Sequence, residues 1–426
     1  MQPPVHTRSW YAETANPHPR HPALEGETVC DVCVVGGGYT GLMTALELAE
    51  RGYDVVLLEA ERVGWGASGR NGGQLITGYN KPMSTIESWV GAEDARRLWD
   101  LNVEATDLLR RRVEAHAIAC DLTWGFLYAA VKPRHLDDIA AIEADLGERY
   151  DYRLLTRLDR AGVATVVRSD AYLGGLFDAG SGHLHPLNYA LGLAGAAVAA
   201  RVRLFEGSRA LAVDTGPAPR VTTAGGSVRA RWLVLGCNAY IDGLAPRLEG
   251  WIMPVATYMM ATEPLGRAAA ATLLPAGAAV SDMNFVLNYF RRSPDHRLLF
   301  GGGVSYSGLD RPGLQLALRR KMLRVFPELD NARIDHVWGG HVAITMNRMP
   351  QVGRLSPTSF YAHGYSGHGV ALAGMAGRTI AEAVAGTAER FDVFARIPHH
   401  PFPGGRWLRT PALVLAMLWF RLRDLL

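Results

Sequence analysis

The first third of the chain alternates apolar stretches with glycine-rich and charged ones. A buried strand is predicted over 29–35, where almost every residue is apolar. A helix is predicted from about Thr40 to Arg51, because apolar residues recur there at helical spacing. Asp54–Glu59 then reads as a second strand. This β-α-β order within about 30 residues predicts a partly parallel sheet.

The rest of the chain carries a different pattern. Two long helices with charge on one face are predicted over 83–118 and 136–150. Alternating residues over 251–263 and 283–304 predict a broad antiparallel sheet. Residues 360–384 predict a strand, a glycine-rich turn and a helix. The expected fold class is therefore α/β (mixed α+β), with a Rossmann-like unit and a mostly antiparallel sheet.

Composition excludes several classes of protein. The chain has 426 residues, of which 48% are hydrophobic and 20% charged, so it is neither disordered nor fibrous. A net charge of +3 gives no field of the strength expected for a nucleic-acid binder. We therefore expect a large globular protein that binds small molecules and no nucleic acid.

The four cysteines do not predict a metal or redox centre. Cys30 and Cys33 form a C-x-x-C pair, but they lie within the first predicted strand. Residues three apart on a strand point to opposite faces, so the two thiols are expected to diverge. We predict buried strand cysteines and no metal site.

The chain ends carry no clear targeting signal. Residues 1–25 are polar and rich in proline and histidine, unlike a signal peptide. The longest apolar run, 412–420, falls short of the ~18 residues of a membrane span. It is predicted to be a helix docked on the body, with an interfacial membrane anchor as the alternative. A cytoplasmic location is expected and a membrane partner is not.

A G-x-G-x-x-G sequence follows the first strand and opens the helix. Gly36 is expected to make the tight turn, Gly38 to let the backbone approach a pyrophosphate, and Gly41 to let the helix pack closely. Glu59 ends the next strand 21 residues after Gly38, where an acid binds ribose hydroxyls. The pattern predicts an adenine dinucleotide site; a purely structural turn is the alternative.

Two further glycine-rich segments indicate which dinucleotide cofactor is bound. The loop Gly64–Gln74 can follow an extended ligand, and Ser68, Arg70 and Asn71 supply hydrogen-bond donors; a flexible surface loop is the alternative. The turn Gly364–Val370 opens a second helix, whose dipole and N–H groups would suit an anionic reduced flavin. An ordinary helix start with a solvated histidine is the alternative there.

These segments together resemble the D-amino-acid oxidase superfamily of FAD enzymes, which includes glycine and sarcosine oxidases. The resemblance covers nearly the whole chain. It also includes Ser181–Pro186, Arg291–Asp295, Leu299–Gly303, Asn347–Gly353 and Pro403–Arg406.

The resemblance implies non-covalent FAD in a discontinuous Rossmann-like domain of glutathione-reductase type. The domain is expected to comprise 26–90, 180–250 and 336–395. The substrate domain would comprise 91–179 and 251–335, with an N-terminal extension over 1–25 and a tail helix over 396–426. The implied cofactor residues are Gly36, Gly38, Tyr39, Thr40, Gly41, Glu59, Ala60, Glu61, Gly66, Ala67, Ser68, Arg70, Asn71, Gly72, Gly73, Gln74, Leu75, Ala210, Cys237, Gly339, Arg348, Gly364, Ser366, Gly367, His368, Gly369 and Val370.

The resemblance also bears on the oxygen reaction and on covalent attachment. Some sarcosine-type relatives attach FAD through a cysteine in the last third of the chain, but this sequence has no cysteine after Cys237. Those relatives also use a lysine to activate oxygen. Beyond Lys132 the sequence offers only Lys321, in a basic helix-like stretch, and we do not assign it that part.

The expected reaction is oxidation of an amine, with gamma-glutamylputrescine as the substrate that the resemblance implies. Hydride would pass from the amine Cα–H to flavin N5, the imine would hydrolyse to aldehyde and ammonia, and O2 would reoxidise the flavin to give H2O2. An aromatic pocket suits an amine. Its candidate residues are Trp65, Tyr258, Tyr289 and His368, although both tyrosines could be ordinary sheet residues.

Other interpretations stay open at this point. Arg291 or Arg292 could bind a substrate carboxylate, or simply form a charged turn. The substrate could be another amine or amino acid, such as sarcosine, glycine or a D-amino acid. A dehydrogenase that feeds a membrane quinone, and a non-enzymatic FAD-binding assembly protein, are the remaining alternatives. The oligomeric state is not indicated.

Overall fold

Two β-sheets and the helices around them make up the computed structural model, which describes residues 5–305 and 313–405. The helices are α1 Trp10–Glu13, α2 Tyr39–Glu50, α3 Met83–Ala115, α4 Pro133–Arg149, α5 Arg160–Ala164, α6 Pro186–Ala199, α7 Pro246–Glu249, α8 Arg267–Leu273, α9 Leu314–Val325, α10 Gly369–Val384 and α11 Glu389–Ala395. The strands are β1 Gly26–Val35, β2 Val55–Leu58, β3 Gln74–Leu75, β4 Thr123–Ala130, β5 Leu155–Asp159, β6 Gly174–His183, β7 Arg203–Phe205, β8 Ala212–Asp214, β9 Arg220–Thr222, β10 Gly226–Leu235, β11 Met253–Thr262, β12 Ala279–Asp282, β13 Asn288–Arg292, β14 Leu298–Ser305, β15 Ile334–Ile344, β16 Gln351–Ser356 and β17 Ser359–His363.

The first sheet contains the predicted β-α-β unit. Its strand order is β16-β17-β10-β1-β2-β7, and β8 and β9 join it beside β10. Strands β17, β10, β1, β2 and β7 run parallel, and β16 returns antiparallel at one edge. Because the inner strands are covered on both faces, β2 is buried along its whole length.

Close backbone approaches fix the two helices that pack on this sheet. A Cβ on Gly41 of α2 would lie 1.9 Å from the Gly36 carbonyl oxygen. A Cβ on Gly377 of α10 would lie 2.7 Å from the Thr40 carbonyl oxygen of α2. Since neither site has room for a methyl group, the two helices touch each other and the sheet through glycine.

The second sheet has the order β15-β11-β14-β13-β12-β4-β6-β3, with β5 beside β6. Its pairs are antiparallel except for β12 and β4. Successive residues of β11 face different cores: Met259 joins the core shared with the first sheet, whereas Tyr258 joins the core under α9. This sheet confirms the predicted antiparallel layer.

The predicted long helices are confirmed with two changes. The first is α3, which is interrupted at Gly91, where φ is 82°. The second, α4, begins at Pro133, three residues before the predicted start, because proline is favoured in the first turn of a helix. The domain limits stay a prediction, and β3 and β6 both belong to the second sheet.

The cysteine pair is structural, as predicted. Cys30 and Cys33 are buried free thiols, and burial raises the pKa of Cys30 to about 12. Both belong to one apolar cluster, so the expected divergence does not separate them into two cores. The described residues contain no group of three or more potential ligands placed to hold a metal ion.

The N-terminal arm packs against the body of the protein. The arm before β1 is ordered against the body, and its Trp10 and Tyr11 are buried. The predicted helix over 412–420 lies outside the described residues. Within the described ranges, no helix is long and apolar enough to cross a membrane.

The contact between α2 and α10 generates a stability prediction. We expect Gly377→Ala to lower the free energy of unfolding by about 1–3 kcal/mol, since the new methyl group would overlap the α2 backbone. Urea unfolding measures this change.

Gly195→Ala in α6 is the matched control for this change. A Cβ there meets nothing within 4 Å, so alanine should stabilise the helix by roughly 0.5–1 kcal/mol. Equal stability of the two variants would contradict the packing argument.

Candidate active site

A cavity opens at the carboxyl ends of the parallel strands of the first sheet. Val35, Leu58 and Gly236 end or follow β1, β2 and β10, and all three line it. Open α/β sheets bind ligands at this edge, because the loops after neighbouring strands diverge there.

The start of α2 faces this cavity. Gly36 has φ +108°, and a Cβ there would lie 2.9 Å from the Gly236 carbonyl oxygen. Gly38 caps the helix without a side-chain hydrogen bond, and the Tyr39 N–H donates to Ser68 Oγ at 3.0 Å. The positive end of the helix dipole, with a hydroxyl beside it, makes a site suited to a phosphate group.

Glu59 lies next to this helix start. Its carboxylate accepts hydrogen bonds from the Gly37 N–H at 2.7 Å and the Glu61 N–H at 2.8 Å. Burial raises the pKa of Glu59 to about 7, and these two hydrogen bonds oppose the rise. Glu59 is therefore a hydrogen-bond acceptor whose protonation state depends on the groups that bind beside it.

The loop after Glu59 is held by its own polar groups. The Asn71 amide donates to the carbonyls of Ala67 and Ser68 at 3.0 and 3.1 Å. The Arg70 guanidinium lies 4.2 Å from the centre of the Trp65 ring and donates to Tyr240 Oη at 3.1 Å. These contacts favour a ligand-binding loop over a flexible surface loop.

The second glycine-rich turn reaches the same cavity from the far end of the chain. The Gly364 N–H donates to Asn238 Oδ1 at 3.0 Å, and Ser366 adopts φ 51°. The hydroxyls of Thr40 and Tyr365 lie 2.7 Å apart, which joins the starts of α2 and α10. Two helix N-termini therefore face one cavity.

Many predicted cofactor residues come together here, although their roles stay predictions. The predicted residues that line the cavity are Gly36, Gly38, Tyr39, Thr40, Glu59, Ala60, Glu61, Trp65, Gly66, Ala67, Ser68, Asn71, Ala210, Cys237, Ser366, Gly367, Gly369 and Val370. The predicted residues outside this lining are Gly41, Arg70, Gly72, Gly73, Gln74, Leu75, Tyr258, Tyr289, Gly339, Arg348, Gly364 and His368.

The aromatic candidates occupy different places. Tyr258 is buried in the core under α9, where it packs beside Gly339 and away from the first sheet. The Tyr289 ring lies between Gly72 and Gly301, where a Cβ would come within 2.7 and 2.1 Å of it. Tyr289 thus contacts the predicted flavin loop, whereas Tyr258 belongs to the core on the other face of the second sheet.

The histidine and arginine candidates also lie in different environments. Burial lowers the pKa of His368 to about 4, so its ring is neutral at pH 7. Arg291 is fully buried and donates to the backbone carbonyls of Gly72 and Leu184, at 3.0 and 2.9 Å. The expectation that Arg291 meets a substrate carboxylate therefore fails in this structure, while Arg292 is half-buried.

Sequence reasoning missed several residues that line the cavity. Asn238 and Tyr240 follow β10, so the rule that ligands bind at strand ends would have found them. Arg209 forms ion pairs with Glu61 at 3.0 Å and Asp242 at 3.1 Å across the chain. No local sequence pattern predicts these ion pairs.

The sequence of this chain is similar to those of known oxidoreductases. The family model for FAD dependent oxidoreductases (DAO) matches residues 31–383. The chain is 42% identical over 420 residues to gamma-glutamylputrescine oxidoreductase of Escherichia coli K12, covering 98% of both chains. It is 40% identical to the probable oxidoreductase OrdL of Haemophilus influenzae, over 98% of this chain and 97% of that one.

Solved structures agree on the fold. Glycine oxidase from Geobacillus kaustophilus superposes with a TM-score of 0.70 at 22% identity, covering 84% of this chain and 95% of that one. L-proline dehydrogenase from P. horikoshii gives 0.72 at 19% identity, covering 86% and 96%. The fold class is thereby confirmed, and the chain belongs to the DAO family of FAD-dependent oxidoreductases.

Proposed function

We propose that this FAD-dependent oxidoreductase oxidises gamma-glutamylputrescine at the free amine of its putrescine part and passes the electrons to O2. The observation that carries the substrate is the 42% identity to the E. coli enzyme of that name, over 98% of both chains. The complete length of that match supports a shared substrate domain as well as a shared cofactor domain.

FAD fits the polar groups of the cavity. The start of α2 would hold the pyrophosphate, and a Cβ on Gly38 would lie 2.9 Å from Ser68 Oγ and fill that approach. The Glu59 carboxylate would accept hydrogen bonds from ribose hydroxyls. The turn Gly364–Val370 would offer its N–H groups and the dipole of α10 to the pyrimidine side of the flavin.

The bound flavin would accept a hydride from the amine Cα–H, and the resulting imine would hydrolyse to aldehyde and ammonia. The protein's part would be to orient the amine and exclude water. Tyr289 supports this role, because its ring lies against Gly72 of the flavin loop. The reacting amine would be neutral, since its lone pair stabilises the imine that forms, and neutral His368 at the start of α10 adds no positive charge there.

The position of Lys321 bears on the choice of electron acceptor. The Lys321 side chain lies beside Gly302, while the neighbouring Gly301 faces Tyr289. Adjacent strand residues point to opposite faces, so Lys321 is on the far side of the sheet from Tyr289. A quinone as acceptor is therefore an outcome that the experiment must be able to detect. A cytoplasmic location stays a prediction.

Anaerobic titration of the purified holoenzyme tests the substrate. We expect gamma-glutamylputrescine to bleach the visible flavin absorbance at lower concentration than putrescine, sarcosine or D-alanine. Admission of air should then restore the absorbance and release one H2O2 per flavin.

Each other outcome contradicts a separate part of the proposal. Preferential bleaching by sarcosine or a D-amino acid would replace the substrate. A reduced flavin that persists in air but is reoxidised by a soluble quinone would replace the acceptor. A flavin that no amine bleaches would remove the enzymatic function.

The raised pKa of Glu59 generates a prediction about FAD affinity. The carboxylate form would accept from ribose hydroxyls, whereas burial raises the pKa of the group to about 7. FAD binding should therefore release a proton, and affinity should rise about ten-fold from about pH 6 to about pH 8. Quenching of flavin fluorescence on titration of the apoprotein measures the dissociation constant.

Glu59→Gln should remove this pH dependence and weaken FAD binding about ten-fold or more, because a hydrogen bond to a charged acceptor contributes about 1.5–3 kcal/mol. Glu61→Gln is the control, since that carboxylate is paired with Arg209 and the Glu59 response should persist. An unchanged pH profile in Glu59→Gln would refute the assignment of Glu59.

A further inference from the structure

Arg291 is a buried cation that the proposed chemistry does not use. It lies on β13, and its side chain is 1% exposed. Its neighbour Phe290 points into the core under α9, so Arg291 points toward the first sheet. A buried charge is costly unless hydrogen bonds compensate it, so the partners of this guanidinium indicate its purpose.

Those partners are backbone carbonyls of the flavin loop and of the segment behind it. Nε donates to the Gly72 carbonyl at 3.0 Å, and Nη2 donates to the Leu184 carbonyl at 2.9 Å. The Leu184 N–H in turn donates to the Gly73 carbonyl at 2.8 Å. The planar guanidinium of Arg291 therefore links the flavin loop, at Gly72, to the neighbouring segment at Leu184.

Trp338 of β15 holds the same loop two residues earlier. Its indole N–H donates to the Arg70 carbonyl at 3.1 Å. The backbone carbonyls of Arg70, Gly72 and Gly73 thus all accept hydrogen bonds from groups outside the loop. Asn71, between them, lines the cavity, so these bonds fix which side of the loop faces the cofactor.

Tyr11 of the N-terminal arm touches both anchors. Its hydroxyl accepts from Arg291 Nη2 at 3.3 Å, and its ring meets the Trp338 ring edge-on, with centroids 5.2 Å apart. The arm is itself fastened next to α1, where Thr14 Oγ1 lies 3.1 Å from His185 Nε2. The arm therefore completes a packed unit behind the loop.

We propose that Tyr11, Arg291 and Trp338 form a positioning brace that sets the flavin loop in its binding conformation. None of the three lines the cavity, so they act through Arg70–Gly73 rather than by touching FAD. The buried positive charge of Arg291 also favours the electron-rich reduced flavin, because a charge interacts more strongly in a low-dielectric interior.

FAD affinity of the apoproteins is the first test. We expect Arg291→Met, which keeps the volume and removes the fork, to raise the dissociation constant at least ten-fold. Tyr11→Phe, which keeps the ring, should raise it two- to five-fold. Arg292→Met, on the adjacent half-buried residue, is the matched control and should leave it unchanged.

The midpoint potential of the bound flavin separates positioning from a merely structural role. We expect Arg291→Met to shift the potential to a more negative value. Arg291→Lys should restore the potential, since it restores the charge, but should restore the affinity only in part, since one ammonium replaces a two-point fork. A loss of stability alone would lower the melting temperature and move neither quantity.

Two results would overturn the brace. One is an Arg291→Met holoenzyme whose FAD affinity and flavin potential match those of the control. The other, if Arg291→Met does not fold, is a folded Tyr11→Phe and Arg291→Lys pair that binds FAD as tightly as the unaltered protein. In either case, normal FAD binding by the unaltered protein would leave the family function intact.

Discussion

The contact of Gly41 with the Gly36 carbonyl is the constraint on which the site depends. A Cβ there would come within 1.9 Å of that oxygen, so α2 starts directly against the end of β1. Gly377 brings α10 against α2 in the same way, with 2.7 Å from its Cβ position to the Thr40 carbonyl oxygen. Two helices that touch through glycine present their N-termini to one cavity, and the Thr40–Tyr365 hydrogen bond keeps those starts in register. The fixed dipoles of these two helices can thus act on a phosphate and a flavin.

Local patterns predicted the parts of the molecule that are local in origin. A strand, a glycine turn and a helix lie next to one another in sequence, so their periodicity and turn residues are legible. The sequence does not reveal which face of the sheet Tyr258 and Tyr289 occupy, because this depends on the pairing of β11 and β13 with distant strands. A shift of one residue would exchange the faces. The ion pairs of Arg209 joined segments that no local rule connects.

Arg291 shows why chemistry inferred from residue type fails at buried positions. A guanidinium has the same donors for a substrate carboxylate as for backbone carbonyls. Burial and the nearest acceptors decide between them, and both depend on the folded chain. The sequence left open whether Arg291 binds a substrate carboxylate or forms a charged turn, and the structure instead has it bonded to the backbone carbonyls of Gly72 and Leu184.

The contact between Tyr11 and Arg291 spans 280 positions of the polypeptide. Long-range closures of this kind slow folding, because the entropy of a large loop is lost before the contact is gained. During synthesis the arm leaves the ribosome early and must wait for β13 and β15 to emerge. Stable capture of the coenzyme would then be one of the last events of maturation, because β17 and α10 of the nucleotide-binding half emerge later still.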